Sequence, residues 1–477
     1  MLPEERVIYT SRLPRLTKSD LTRSFKTPPI RHFQKDSCTA FLLYLSFCQH
    51  FYLESTKQQK IINLKTKKMN NQAVTIAKDN DGNSIWQFLL HELKPRGKWL
   101  TPFNIISIPI MLLGLGLIFY RFIYGIGSIT NLSQEIPWGL WIGFDVVTGV
   151  AFAGGAYVLT FMVYILKMDK YHSLVRVTVL NGFLAYVFYA GALLLDLGRP
   201  WNVINPIIGN SFGTSSVLFL VAWHFMLYML AELIEFSPAI AEWLGARRAR
   251  KILSGMTIGA VIFGITLSTL HQSGLGALFL MAKDKIHPLW YSEFIPILFL
   301  VSSIFAGLSM VIFEGSISSK VFSDQISEKH HKAERGIIQG LSMICAVAMF
   351  AYLFMQLLVF IHDKNWAYIN TPMGYWFLLE MIGFVLIPMI LFFYSYRNNN
   401  TLMIRIAAIL TMLGIILNRL NVTVIGFRWD APVHYVPSWM EITVTLAVIF
   451  TEIWIFRWVI NRMPVLRESP AWVKEEK

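Results

Sequence analysis

Ten apolar segments, each long enough to cross about 30 Å of hydrocarbon, constrain the fold of this chain more than any other feature. Only 15% of the residues are charged, whereas a soluble globular domain usually carries about 25%. Backbone groups in lipid must satisfy each other's hydrogen bonds, and apolar runs of this length do so as helices. We therefore predict an all-α polytopic membrane protein with ten transmembrane helices in a bundle. The predicted spans are 101–121, 139–166, 174–196, 214–236, 252–281, 292–313, 337–361, 374–396, 402–424 and 439–460.

Basic residues are shared unevenly between the loops that connect these spans. If the N-terminus is inside, the inner loops contain the basic clusters 167–176, 247–251 and 320–335, whereas the outer loops hold far fewer lysines and arginines. Because basic loops stay on the cytoplasmic side, both termini are predicted to be cytoplasmic. One helix more or fewer would break this alternation.

The first 68 residues differ from the rest of the chain. They hold thirteen Lys/Arg and five Asp/Glu, and so contribute +8 to a formal net charge of +13. Their apolar run, TAFLLYLSF, is too short to span a bilayer, and no small-residue cleavage site follows it. We interpret 1–68 as a disordered extension or a mis-assigned start. The other predicted parts are a cytoplasmic N-terminal segment (69–100), the transmembrane domain (101–463) and a cytoplasmic tail (464–477).

Charge and cysteine content exclude several classes of function. No basic stripe accompanies a nucleic-acid-binding motif, so nucleic-acid binding is not expected. The three cysteines, Cys38, Cys48 and Cys345, lack the spacing of metal ligands. Because an iron–sulfur cluster or a structural zinc ion needs about four ligands, we expect neither a cluster nor a metal site in this chain.

Titratable residues inside the apolar segments are the first candidates for function, since burying them in lipid is costly. His271 lies in the stretch 270–294, LHQSGLGALFLMAKDKIHPLWYSEF, which also contains His287, Trp290 and Glu293. Histidine changes its charge near neutral pH. This stretch therefore favours proton-coupled chemistry near one face of the membrane.

Other polar residues share the outer half of the predicted bundle. His271 and His224 each lie ten residues from the outer end of their predicted helix, about 15 Å deep. Asp145 lies six residues into the second predicted helix, about 9 Å from its outer end. The third predicted helix ends in Asp196, Arg199 and Trp201, and Asp196 with Arg199 could equally form an interfacial ion pair.

Six motifs, spread over residues from about 95 to 465, carry a family resemblance: PWGLWIGFDVVTGVAFAGG, YHSLVR, LDLGRPWNVINP, LHQSGLGALF, HPLWYSEFIPILF and MVIFEG. Together they resemble the NrfD/polysulfide-reductase membrane subunits, and most closely the ten-helix, HybB-type branch that serves periplasmic hydrogenases. The resemblance implies a quinone-binding subunit of the prokaryotic cytoplasmic (inner) membrane, with no iron–sulfur cluster of its own. It also implies a periplasmic ferredoxin-like iron–sulfur partner subunit. Through that partner it implies a catalytic subunit, such as a hydrogenase, a sulfur-compound enzyme or a multihaem cytochrome. Membrane lipid surrounds the bundle.

The resemblance also implies roles for individual residues. His271, in the HQS motif, matches a proposed quinone-site histidine, and Tyr186 matches a tyrosine near the same pocket. HybB-type sequences read SVLFE at the start of the fourth helix, whereas this chain has Leu220 in place of the acid. His224 is one helical turn further on, so we expect it to take over part of that polar role. The predicted catalytic residues are His271, Tyr186, His224 and Asp145, and the predicted quinone-binding residues are His271, Tyr186, Asp196, Arg199, Trp201, His287, Trp290 and Glu293.

Three other interpretations stay open. A haem b held by His224 and His271 would suit their similar depth, and some relatives carry haem, although we do not expect it here. Buried carboxylates in ten helices would also suit a proton-coupled transporter, but no paired broken helices stand out. A purely structural anchor for an electron-transfer complex would tolerate His271→Ala without losing quinone reactivity.

Overall fold

The computed structural model describes residues 87, 90–94, 100–205, 216–326, 328–467 and 469–474, so the predicted extension 1–68 lies outside the described residues. Within the described residues the chain is all-helical, apart from one isolated β-bridge between Ile286 and Phe427. Ten helices there are long and apolar enough to cross a membrane, which confirms the predicted number. Their bounds are α1 Pro102–Tyr124, α2 Trp141–Ile165, α3 Asp169–Asp196, α4 Val217–Trp243, α5 Arg247–Lys285, α6 Ile295–Val321, α7 Ala333–His362, α8 Pro372–Asn398, α9 Thr401–Ile425 and α10 Trp439–Arg462.

The ends of the helices differ from the predicted spans by several residues, and two of these differences move candidate residues. The α-helical part of α5 ends at Leu278 and continues as a 3-10 turn, and α4 begins at Val217. His271 and His224 are therefore each seven residues from the helix end, about 10 Å deep rather than the predicted 15 Å.

Contacts between loops define one end of the bundle. The backbone N–H of Arg428 donates to the Lys285 carbonyl at 2.6 Å, and Asn365 Nδ2 donates to the Pro288 carbonyl at 3.1 Å. These bonds join the loops that precede α6, α8 and α10. We call this the tryptophan end, because it holds Trp201, Trp290, Trp429 and Trp439.

The opposite end contains most of the basic side chains, and we call it the basic end. Arg176 there forms two hydrogen bonds with the carboxylate of Glu242, at 2.8 and 2.9 Å. Arg405 pairs with Glu334 at 3.3 Å. The C-terminal tail packs against this end, since Val473 is buried.

Helices α2 and α6 meet backbone to backbone through glycine. A Cβ atom added at Gly307 would lie 2.0 Å from the amide nitrogen of Gly155, and one at Gly154 would lie 2.9 Å from the Ser303 carbonyl oxygen. Small residues allow such approaches in a membrane, where no hydrophobic force drives helices together. This contact explains the adjacent glycines Gly154 and Gly155 of α2.

Several helices contain π-helical turns, which hold an extra residue and shift the direction of the side chains that follow. Asp145 lies in the π-helical segment Trp141–Thr148, and Glu380 lies in Leu379–Leu386. Such turns are frequent at functional sites. Two further segments in the described chain are Phe161–Ile165 and Asn421–Ile425.

Candidate functional site

His271 is a buried histidine with one ring nitrogen left without a partner. Its side chain is almost fully enclosed, since the residue is 2% exposed. Nδ1 lies 3.2 Å from the carbonyl oxygen of Val221, which can only accept a hydrogen bond, so Nδ1 carries a proton. Nε2 has no hydrogen-bond partner. In the neutral ring Nε2 is therefore a free acceptor that faces an apolar interior.

Tyr186, on α3, packs beside this histidine. The two ring centroids are 5.7 Å apart, and Phe225 packs against both rings, at 5.3 Å from Tyr186 and 5.6 Å from His271. The buried Tyr186 hydroxyl lies near the side chains of Ser268 and Gln272 but does not reach hydrogen-bond geometry with either of them. An unsatisfied buried polar group costs about 1–3 kcal/mol. Two such atoms on side chains that pack together favour the binding of a polar ligand that would complete their hydrogen bonding.

A line of buried polar side chains leads from this pair towards the basic end. The Tyr228 ring lies 4.7 Å from that of Tyr186, edge to face. Its hydroxyl lies near Glu232, one turn further along α4, and neither this hydroxyl nor the two Glu232 carboxyl oxygens have a hydrogen-bond partner. A Cβ at Gly182 would lie 2.4 Å from Glu232 Oε1, so α3 leaves room for the carboxyl there. The predicted catalytic and quinone-binding residues do not include Tyr228 and Glu232, although their spacing of four places them on one helix face.

Asp145 and Asp196 form a second group of buried polar residues, nearer the tryptophan end. Asp145 Oδ2 accepts a hydrogen bond from Thr445 at 2.9 Å, and Asp196 lies within electrostatic reach of Asp145. Asp196 Oδ1 is buried without a partner, although Arg121 lies nearby and donates to the carbonyl of Leu195 at 2.9 Å. The predicted residues Asp145 and Asp196 are thus neighbours.

Tyr189 lies between the two groups. Its ring occupies the space left by Gly149, where an added Cβ would lie 2.1 Å from Tyr189 Cζ. It is within electrostatic reach of both Asp145 and Tyr186. The sequence prediction does not include Tyr189, because a tyrosine three residues after Tyr186 carries no separate signal.

Four predicted site residues are not enclosed with His271. Arg199 and Glu293 are exposed, and Trp201 is 74% exposed. The ion pair considered between Asp196 and Arg199 is not formed among the described residues. His224 is partly exposed, on the same face as the exposed Leu220, and its Nδ1 has no hydrogen-bond partner.

His287 and Trp290 belong to the loop before α6. The His287 ring packs against Trp290, Tyr368 and Trp429, with centroids 5.5, 5.3 and 4.7 Å away. Its Nδ1 accepts a hydrogen bond from the Leu289 amide at 3.2 Å, and burial lowers the pKa of His287. The His287 side chain is therefore held by contacts with aromatic side chains at the tryptophan end of the bundle.

Trp290 leads into a polar network that the sequence prediction misses. Trp290 Nε1 donates to Glu380 at 2.8 Å, and the side-chain amides of Asn418 and Asn421 donate to the same carboxylate at 2.7 and 2.5 Å. The buried Arg419 guanidinium lies close by and donates to Asn418 Oδ1 at 2.8 Å. An acidic residue in the apolar run FLLEMIGF was the available signal for this network.

No group of three or more His, Cys, Asp or Glu side chains in the described part of the chain could hold a metal ion. The buried tyrosine, histidine and carboxyl groups described above can donate and accept hydrogen bonds and protons. The model of the polysulphide reductase NrfD family matches residues 128–428, more than half of the chain.

The chain belongs to the NrfD family. Among its relatives, a protein of Nitratidesulfovibrio vulgaris Hildenborough is 43% identical over 373 residues, which are 78% of this chain and 96% of the relative. The probable Ni/Fe-hydrogenase 2 b-type cytochrome subunit of Escherichia coli K12 is 29% identical over 385 residues, 79% of this chain and 95% of that protein. The menaquinone reductase integral membrane subunit of N. vulgaris is 26% identical over 353 residues, 66% of this chain and 80% of that protein. The predicted family is confirmed, and NrfD membership together with the ten apolar helices makes the chain an integral, multi-pass membrane protein.

Proposed function

We propose that this chain is the quinone-binding membrane subunit of a respiratory oxidoreductase complex, which passes electrons between a periplasmic iron–sulfur protein and the quinone pool with coupled proton transfer. The observation that carries the proposal is a pair of buried polar atoms without a hydrogen-bond partner, Tyr186 Oη and His271 Nε2, on side chains whose ring centroids lie 5.7 Å apart. Relatives named as menaquinone reductase and hydrogenase membrane subunits support it.

Quinone reduction takes up two electrons and two protons and forms two O–H bonds, and quinol oxidation reverses this. The Tyr186 hydroxyl would donate a hydrogen bond to one quinone oxygen. Neutral His271 would accept the hydroxyl proton of a quinol at Nε2, while protonated His271 would donate from the same atom to a quinone. The Val221 carbonyl, 3.2 Å from Nδ1, would hold the ring in this orientation in both states.

Protons need a route between this pocket and water. Tyr228 and Glu232 provide donors and acceptors on the side of the basic end, and both lack fixed partners that would compete for the proton. Asp145, reached through Tyr189, provides a second route towards the tryptophan end. Asp145 and Tyr228 therefore offer routes in opposite directions.

The orientation of the chain follows from its charges. The basic end, with both termini, would lie in the cytoplasm, because basic segments such as 247–251 are retained there. The tryptophan end would then face the periplasm of a prokaryotic inner membrane. His271 lies about 10 Å below that end, and an iron–sulfur partner subunit docked there would be close to it. That partner would connect the chain to its catalytic subunit.

The test is quinone turnover by the native complex, purified in mild detergent with its subunits identified by mass spectrometry. His271→Gln should lower turnover at least about 100-fold, since a positioned proton donor contributes about 10²–10⁴-fold. His362→Gln is the matched control, because this exposed histidine lies at the tryptophan end of α7. Undiminished turnover in His271→Gln, or a chain that is never isolated with redox subunits, would contradict the proposal.

A haem b held by His224 and His271 is the second candidate, because the E. coli relative is named a b-type cytochrome subunit. His271 Nε2 and His224 Nδ1 are both unpartnered and could act as ligands. The rings of Tyr186 and Phe225 also pack close to His271, with centroids 5.7 and 5.6 Å away. A reduced-minus-oxidised visible spectrum distinguishes the candidates, since only haem gives an α-band.

A further inference from the structure

A cavity of about 790 Å³ lies at the basic end, between α3, α4, α5 and the C-terminal tail. Its volume is in the range of small-molecule sites, about 300–1,000 Å³. One part of the wall is polar and includes Arg176, Arg250, Ser254 and Thr257. Apolar side chains, among them Val179, form much of the rest. The lining is therefore amphipathic.

Two arginine side chains and one glutamate carboxylate meet at the polar part of this cavity, so positive charge exceeds negative charge there. Glu242, whose side chain is 0% exposed, accepts two hydrogen bonds from Arg176 at 2.8 and 2.9 Å and one from Arg250 Nε at 3.4 Å. Two guanidinium groups thus share one buried carboxylate. The two terminal nitrogens of Arg250 make no hydrogen bond to any described residue, although its side chain is only 16% exposed. These donors remain available for an anion.

The cavity opens to the side of the bundle along α5. Ile258, in its wall, is 46% exposed, and Ser254 is exposed one turn earlier. A Cβ added at Gly255 or Gly259 would meet no atom within 4 Å. A ligand could therefore keep a polar group inside the cavity while its apolar part lies between the helices and the surrounding lipid.

The only acidic side chain at the deep end of the described lining is Glu235, which lies close to Gly264. It is seven residues from Glu242 on α4, about 10 Å along the helix axis. The two arginines of the lining lie at the other end of this stretch, where both contact Glu242. The favourable position for an anion is therefore the rim, beside Arg250 and Ser254.

We propose that this cavity binds an anionic phospholipid, with its phosphate at Arg250, Arg176 and Ser254 and its acyl chains along Ile258. Arginine is well suited to phosphate because its planar group donates two parallel hydrogen bonds. Basic pockets between transmembrane helices are a recognised way of holding anionic headgroups. The bound lipid links α3, α4 and α5, which also carry Tyr186, Tyr228 and His271.

Native mass spectrometry of the detergent-extracted complex, combined with lipid analysis of the same sample, tests this assignment. The wild-type protein should retain one anionic phospholipid that exchanges slowly. Arg250→Gln should lower the retained anionic lipid about fivefold or more. Arg248→Gln is the matched control, because it removes the same charge two residues away. The Arg248 side chain is exposed and does not line the cavity. Its lipid content should equal that of the wild type.

A second variant separates this site from general attraction of lipid to a basic surface. Ile258→Trp narrows the lateral opening without altering charge, and should lower lipid retention while thermal unfolding and subunit content stay unchanged. Equal lipid loss in Arg248→Gln and Arg250→Gln would overturn the proposal. Retention of inorganic phosphate alone, or of zwitterionic lipid with equal affinity, would also overturn it.

Discussion

The ring of Tyr186 lies 5.7 Å from that of His271, and both residues carry a buried polar atom that hydrogen-bonds to nothing in the described chain. Two unsatisfied atoms side by side destabilise the protein unless a ligand pairs with them. This arrangement favours ligand binding over stability, as expected where a substrate completes the hydrogen bonding.

Tyr186→Phe should separate stability from turnover. The change keeps the ring and removes a hydroxyl without a partner, so the free energy of unfolding should stay the same or rise by about 1 kcal/mol, while quinone turnover falls. Tyr157→Phe is the opposite control, since the Tyr157 hydroxyl pairs with Ser303 at 2.9 Å and should affect stability more than turnover. Thermal unfolding and quinone assays on both variants check this. Full activity in Tyr186→Phe would argue against hydrogen bonding to quinone.

Glu232→Gln should slow proton delivery without preventing quinone binding. Glutamine keeps the shape of the side chain but cannot exchange a proton, so turnover should fall about 10-fold or more while KM changes little. Proton uptake by proteoliposomes with quinone as acceptor measures the effect. Glu135→Gln, an exposed change of the same kind outside the predicted site, should leave it unaltered. Equal proton uptake in the two variants would show that Glu232 is not part of the proton route.

Trp290→Phe should destabilise the loop before α6. It removes a hydrogen bond of 2.8 Å to the buried carboxylate of Glu380, and such bonds contribute about 1.5–3 kcal/mol. Trp201→Phe should change stability by less than about 0.5 kcal/mol, because that side chain is largely exposed. Denaturant unfolding monitored by helix content compares the two. Similar stability losses would mean that the bond to Glu380 is unimportant.

Gly307→Ala should weaken the contact between α2 and α6. The new Cβ would lie 2.0 Å from Gly155 N, an overlap that forces the helices apart and costs about 1–3 kcal/mol. Gly315→Ala, on the same helix, meets nothing within 4 Å and should be neutral or slightly stabilising. Thermal unfolding of both variants measures the difference. If Gly307→Ala is as stable as the wild type, this close contact is not required.

His287 should make stability depend on pH. Burial lowers its pKa below the ordinary value of 6.5, so between the two values the unfolded chain binds more protons than the native protein. Stability should therefore fall as the pH drops below about 6.5. His287→Gln should show a smaller decrease than the wild type, and His362→Gln should show the same decrease. Unfolding temperatures measured between pH 7.5 and 5 provide the comparison, and parallel curves for His287→Gln and wild type would refute it.

Much of the fold follows from sequence, because crossing lipid demands long apolar helices and basic loops mark one side. His271 was also predictable, since a histidine in an apolar run is conspicuous. The residues that contact His271 were not predictable, because these contacts depend on which helix faces meet. Arg419 lies buried in α9 and donates to Asn418 Oδ1, and Trp290 donates to Glu380 rather than contacting the side chains around His271.

The π-helical turns have a consequence that substitutions would not reveal. Deleting one residue from Trp141–Thr148 would allow an ordinary α-helix, but would rotate one half of α2 by about 100° relative to the other. Asp145 and the Gly154–Gly155 pair could then no longer meet Thr445 and Gly307 at the same time. The number of residues in this segment is therefore as important for the fold as their identity. A deletion scan would detect these positions, whereas an alanine scan would not.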